Sequence, residues 1–177
     1  TEFIDKPDLE RRVWLWQTWE RAIDGVLIWQ TNYWHSDEAY PDAPQNPYED
    51  PMGWTTGYST PTGAKRPWGN GDGRFIYPPM TAADGQPTAP VFDDPVSSIR
   101  LEMLRDGIED YEYCVILRDL LGKCKERLSE KEMQQYQKLL EAPDTITQSM
   151  TEFTWNPAPI EAHREDVARA VESLSKK

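Results

Sequence analysis

Asp37-Glu38 is the one place in the 177-residue chain where an aspartate is followed directly by a glutamate. Paired carboxylates are the usual equipment for cleaving a glycosidic bond, one group protonating the leaving oxygen while the other assists attack. Acids are common here, 31 against 19 lysines and arginines, so two solvated side chains in a loop is the plainer reading of that pair. The residues just upstream are more selective. An apolar run, Val26 to Trp29, breaks into Gln30-Thr31-Asn32-Tyr33-Trp34. Indole and phenol rings offer flat faces with one polar atom each, and amides add directional donors and acceptors. A sugar ring, with apolar C–H faces and a polar equator, suits both. Trp29, Asn32, Tyr33 and Trp34 are therefore candidates to face a sugar. The competing reading puts Trp29 in the core and leaves Trp34 to pin the following loop.

Other chemistry is weakly marked. Gly69-Asn70-Gly71-Asp72-Gly73 resembles a phosphate cradle only superficially, because no Lys-Ser or Lys-Thr follows and the segment leads into a strand. It reads as a turn, with Asn70 or Asp72 in reach of a ligand; a calcium loop of EF-hand type is absent. His35 abuts the aromatic rim, and His163 sits in a polar tail that predicts a solvated ring. Neither has a partner at metal-ligand spacing, and no nucleophile elbow or zinc spacing occurs.

The elements that must position these residues follow from periodicity. Asp5-Lys6-Pro7-Asp8 opens a helix in which Leu9, Val13, Trp16 and Ile23 recur at helical spacing, and Asp24-Gly25 predicts its left-handed exit. The exit leads straight into a buried strand, Val26–Trp29. From His35 to Pro95 the chain holds eleven of its fifteen prolines, so little regular structure is expected except a short strand at Arg74–Tyr77. Trp54, Trp68, Tyr40, Tyr48 and Tyr58 argue for an ordered, aromatic-pinned loop rather than a disordered one. Asp94-Pro95 predicts the start of a long helix with an apolar stripe from Ile99 to Leu120. Gly107 within it permits close packing or a kink, and Gly122 ends or bends it. Arg100 is expected to pair with Glu109 or Asp110 in a structural role. Ser129 and Glu132 form a capping box for a polar helix closed by Pro143, and a last amphipathic helix runs from Ile160 to Leu174.

Composition narrows the partners. A net charge of −12 repels phosphate backbones, which argues against nucleic acid. No run of about 18 apolar residues is present, so no membrane span is expected. Cys114 and Cys124 lie about 15 Å apart if one helix carries both, too far for a disulfide. The chain opens on Thr1-Glu2-Phe3 without a leader pattern, as a mature product or a piece of something longer would.

Three stretches in this order carry a resemblance: Gly25–Trp34 with the Trp-rich helix before it, Gly71-Asp72-Gly73 through Tyr77-Pro78, and Ser98-Ile99-Arg100 through Arg105-Asp106-Gly107-Ile108-Glu109-Asp110-Tyr111-Glu112-Tyr113. Together they resemble the C-terminal part of the glycoside hydrolase family 123 catalytic domain, a region also catalogued as domain of unknown function 4091, over roughly Asp8 to Leu121. The resemblance implies an α/β fold, the C-terminal portion of a (β/α)8 barrel. Its last two strands would be Val26–Trp29 and Arg74–Tyr77, with their helices, a long aromatic loop and extra C-terminal helices. It implies an exo-acting, retaining β-N-acetylgalactosaminidase in which the substrate's acetamido oxygen attacks the anomeric carbon, an adjacent Asp-Glu pair supplies helper and acid/base, and no metal or organic cofactor is used. Secretion or a periplasmic location is expected from the family. The family's catalytic pair precedes these motifs, so Asp37-Glu38 does not correspond to it, and no catalytic residue is assigned. Barrel sites lie at the C-terminal ends of strands, which places Trp29, Asn32, Tyr33 and Trp34 on one strand end and Tyr77 on the other as substrate-binding residues. The expectation is one partial domain, 1–177, that bears a sugar-binding wall. It would be inactive alone, and would need the N-terminal part of the barrel or self-association to cover its strand edges. The alternatives are a carbohydrate-binding module without chemistry and a structural helical domain.

Overall fold

The structure is a computed structural model and describes residues 3–34, 46–49, 55–56, 66–67, 71–85 and 89–176. The chain divides into two compact units, Thr1–Asp8 with Leu27–Glu102, and Leu9–Val26 with Met103–Lys177.

The second unit is helical. It contains α1 (Leu9–Glu20), most of α2 (Ile99–Cys124), α3 (Glu130–Lys138) and α4 (Ala158–Ser175). Val13 and Trp16 of α1 pack with Cys114 of α2, Ile146 and Ile160 in one core cluster. Leu117, Leu121 and Cys124 of α2 pack with Val167, Ala170 and Leu174 of α4 in another. On α2 the buried apolar residues are Leu104, Cys114, Leu117, Leu121 and Cys124 rather than the expected stripe: Ile99 and Ile108 are exposed, because the face carrying Gly107 and Asp110 is the one turned to α1. Burying such a face is what holds short helices together in water. Gly107 is a point of close approach: a Cβ there would lie 3.0 Å from the Arg12 Cα and 3.2 Å from the Arg12 carbonyl oxygen, so close packing accounts for the glycine.

The dense charge on α2 has a buried target. Asp110, 1% exposed, accepts from Arg12 Nε at 2.7 Å, Arg12 Nη2 at 3.1 Å and Trp16 Nε1 at 3.1 Å. Arg12 also donates to Glu161, and Arg164 lies 3.4 Å from Asp110 and 2.9 Å from Glu109. Burial opposes the Arg12 charge, but its bonds to Asp110 and Glu161 overcome this and raise its pKa above the ordinary arginine value. Tyr111 meets Trp19 edge-on with ring centroids 5.2 Å apart. The segment Arg105–Tyr113 is thus a packing motif, as its structural reading predicted, although the partner of Asp110 is Arg12 and not Arg100.

Several boundaries move. The left-handed exit from α1 is Ala22, φ +48°, not Gly25. Ile23 N–H bonds to Thr18 O and Ala22 N–H to Trp19 O, a Schellman closure that ends the helix before Asp24-Gly25 is reached. The helix after Pro95 starts at Ile99 because Val96–Ser97 is taken up as a strand, and Ser98 Oγ caps it by accepting from Leu101 N. Gly122 does not end α2, which continues to Cys124 and a 3-10 turn at Lys125–Arg127. The capping box is present: Ser129 Oγ accepts from Glu132 N, while the Glu132 carboxylate accepts from Ser129 N. Cys114 and Cys124 are both buried free thiols. His163 is half-buried rather than solvated, its Nε2–H donating to Leu139 O at 3.0 Å and its ring edge-on to Trp16.

The first unit departs most from expectation. Val26–Trp29 has no regular secondary structure and joins no sheet among the described residues, and Leu27 is 81% exposed. A barrel strand receives its backbone hydrogen bonds from neighbours on both sides. Among the described residues this run is irregular, and Val26, Leu27 and Trp29 are exposed. The pairing that does form is antiparallel: β1 (Thr55–Thr56) with β2 (Arg66–Pro67), and β3 (Ile76–Tyr77) with β4 (Val96–Ser97). Residues 31–34 flank the other side of the β3 segment through an antiparallel bridge, Asn32 to Arg74. What the described residues establish is a mixed, helix-rich α/β arrangement with small two-stranded sheets. Most of the expected aromatic loop, including Asp37, Glu38, His35, Tyr40, Trp54, Tyr58, Trp68 and Asn70, lies outside the described residues.

Candidate functional site

The candidate site is built on the antiparallel pairing of residues 31–34 with 73–76. Tyr33 N–H donates to Gly73 O and Ile76 N–H to Thr31 O, both at 2.8 Å. Gly71-Asp72-Gly73 is the turn that precedes the pairing, as its composition predicted. Gly73 has φ +72°, and a Cβ on it would stand 3.0 Å from Tyr33 Cβ and 3.1 Å from Trp29 Cζ3. Only glycine fits both the backbone and the space.

Two buried arginines lock this turn. Arg74, 1% exposed, donates from Nε to Tyr33 O at 3.0 Å and from Nη2 to Trp34 O at 3.1 Å. Arg100, 2% exposed, donates from Nη1 to Gly71 O at 2.6 Å and from Nη2 to Arg74 O, and its guanidinium lies over the Phe75 ring. Ser98 Oγ donates to Phe75 O at 2.6 Å. An irregular segment leaves carbonyls without ladder partners, and burying them bare would cost about 1–3 kcal/mol each. A planar guanidinium with five donors covers several at once. Sequence reading gave Arg100 a structural role but missed Arg74 altogether. The available signal was an arginine between Gly73 and the fully buried Phe75, in a segment otherwise suited to the interior.

The five predicted residues occupy these adjoining segments. Trp29 is half exposed, with its ring edge-on to Tyr33 at 5.1 Å between centroids. Asn32 is exposed, and its carboxamide has no hydrogen-bond partner among the described residues. Trp34 donates its indole N–H to Ile76 O at 2.6 Å, which leaves only the ring face for stacking. Tyr77 is half-buried, with its hydroxyl 3.5 Å from Arg100 Nη2 and its ring 5.2 Å from that of Tyr48. Tyr48 donates from its hydroxyl to Pro78 O at 2.7 Å, acting as one of the aromatic pins expected of the loop. Burial, and then the neighbouring Tyr77, raise the Tyr48 pKa.

The candidate site offers indole and phenol faces and one open carboxamide on a backbone fixed by buried arginines. Among the described residues, no three histidine, cysteine or acidic side chains come together to hold a metal ion, and no helix is long and apolar enough to cross a membrane.

No curated protein matches the chain. A family model does, over residues 1–117 of the 177, a span that takes in all five candidate residues and the whole Arg105–Tyr113 packing motif. The chain therefore belongs to the glycoside hydrolase 123 catalytic domain family, whose substrates are carbohydrates.

Proposed function

We propose that this chain is the C-terminal part of a retaining β-N-acetylgalactosaminidase and supplies one wall of its sugar site. In the reaction the substrate's acetamido oxygen attacks the anomeric carbon. The departing aglycone oxygen takes a proton from an acid, and water then opens the cyclic intermediate with retention. The Asp-Glu pair for those steps belongs to polypeptide upstream of these motifs, so the chain alone binds without cleaving. Trp29 and Trp34 present ring faces to the sugar, Asn32 bonds its acetamido group or a hydroxyl, and Tyr33 and Tyr77 complete the wall.

The observation that carries this reading is the family match across residues 1–117. The exposure of Val26 and Leu27 supports it, because apolar side chains of this kind are what the preceding elements of a barrel would cover. The test compares this chain with a longer parent on an aryl β-N-acetylgalactosaminide. The parent is expected to release the aryl group with retention, this chain to release none, and Trp29→Ala in the parent to raise KM. Hydrolysis by this chain alone would refute the division of labour. Sugar binding without turnover in both proteins would favour a carbohydrate-binding module. Gel filtration is expected to show this chain self-associating or carrying a second polypeptide, whereas a lone monomer would count against an uncovered edge.

A further inference from the structure

Residues 118–177 lie beyond the family match and carry an open groove of their own. It forms where the chain folds back between α3 and α4. Thr147 and Phe153 make an antiparallel bridge, Thr154 N–H donates to Ile146 O at 2.9 Å, and Gln148 N–H donates to Glu152 O at 2.8 Å. The fold-back is anchored from within: Ile146 is fully buried, and Gln17 Nε2 donates to Thr147 Oγ1 at 3.1 Å and Ser149 O at 2.9 Å. The groove holds about 440 Å³, within the usual span of small-ligand sites.

Its lining is a rigid indole with unspent polar groups. Trp155 is 59% exposed, and its ring is braced against Phe153 at 4.9 Å between centroids. The Trp155 indole N–H and the side chains of Asp144, Gln148 and Glu152 have no hydrogen-bond partner among the described residues. An indole held open to water beside an amide and two carboxylates has the two features a sugar ring requires: a face to stack on, and acceptors for hydroxyl protons. With two acids and no cation in its lining, the groove disfavours an anionic glycan.

We propose that this groove is a second, non-catalytic carbohydrate subsite, taking one neutral sugar unit stacked on Trp155 with its hydroxyls bonded by Asp144, Gln148 and Glu152. The choice of ligand class rests on the glycosidase reading; the site itself does not. The test uses the whole chain, labelled with nitrogen-15, titrated with methyl β-N-acetylgalactosaminide and separately with the methyl glycoside of glucuronic acid. The Trp155 indole N–H resonance is expected to shift saturably with the neutral sugar and at least about tenfold more weakly with the uronide. Trp155→Ala is expected to weaken binding about tenfold, a stacking contact of about 1.4 kcal/mol. Gln148→Ala, at an exposed position that the fold tolerates, is expected to weaken it about threefold. A silent Trp155 resonance, equal affinity in both variants, or preference for the uronide overturns the proposal. If the longer parent cleaves its glycoside while Trp155 stays silent, the subsite fails and the glycosidase reading stands. If Trp155 responds while the parent cleaves nothing, the reverse holds.

Discussion

Replacing Asp110 tests the account of the helical unit most severely. Its carboxylate is 1% exposed and receives two bonds from Arg12 and one from Trp16. Asp110→Ala removes all three and strands a guanidinium whose side chain is 3% exposed, with Glu161 as its remaining carboxylate; that residue is 57% exposed and screened by water. Breaking a buried pair in this way costs about 3–5 kcal/mol, because the surviving charge stays desolvated. Asp110→Asn keeps the shape but turns an amide NH2 toward the guanidinium, so it is expected to be nearly as damaging. Replacing both partners with apolar residues, Arg12→Met with Asp110→Leu, removes the buried charge along with its partner. That variant is expected to lie within about 2 kcal/mol of the parent chain. Urea unfolding followed by tryptophan fluorescence reads all of these, and Trp16 reports from within the network. A loss under about 1 kcal/mol for Asp110→Ala, or a double variant no better than the sum of its singles, would refute the argument.

Three further outcomes follow from local geometry. Ala22→Gly relieves a left-handed residue and is expected to stabilise the chain by about 0.5–1 kcal/mol after the extra freedom of glycine in the unfolded state is counted; a lower midpoint in the same urea titration would contradict the Schellman closure. Burial lowers the His163 pKa below its ordinary 6.5, outweighing the pull of its bond to Leu139 O and of nearby acids. The unfolded chain therefore takes up the proton first as pH falls, so stability is full above about 6.5 and declines below it, and His163→Gln should flatten that slope between pH 7 and 5. The Cys114 thiol is pushed up to about 12 by burial and then by Asp110, so alkylation at pH 8 should be negligible in the native chain and rapid in urea.

The helical unit was largely legible from sequence because its information is local. Apolar residues recur at helical spacing, although the face they mark on α2 is not the one that is buried, and Ser129 and Glu132 announce a helix start from three residues apart. The failures are long-range. Arg12 and Asp110 are 98 residues apart, so spacing along α2 suggested Arg100 as the partner instead. Val26–Trp29 has the composition of a strand, but a strand also needs another backbone beside it, and composition says nothing of that. Gly25 was the better left-handed residue by type, yet the carbonyls of Thr18 and Trp19 were satisfied first, which put Ala22 in the strained position. Of the candidate site, the sequence offers the rim side chains as candidates but not the arginines that fix their backbone, because a buried arginine serving backbone carbonyls is indistinguishable in sequence from a solvated one.

The same asymmetry bears on function. The stretch that makes the family recognisable, Arg105–Tyr113, is occupied with packing: Gly107 admits α1, Asp110 neutralises Arg12, and Tyr111 meets Trp19. A packing motif identifies a fold, and chemistry must still be argued from a site. Here the site consists of rings and an amide on a backbone locked by Arg74 and Arg100, which suits binding and lacks a proton-transfer pair among the described residues. Mutating the two kinds of residue should therefore separate them. Asp110→Ala is expected to lower stability, whereas Asn32→Ala, at an exposed carboxamide with no hydrogen-bond partner among the described residues, should leave the stability within about 0.5 kcal/mol and change only the response to sugar. An Asn32→Ala chain as destabilised as Asp110→Ala would mean that the rim, like the motif, belongs to the scaffold.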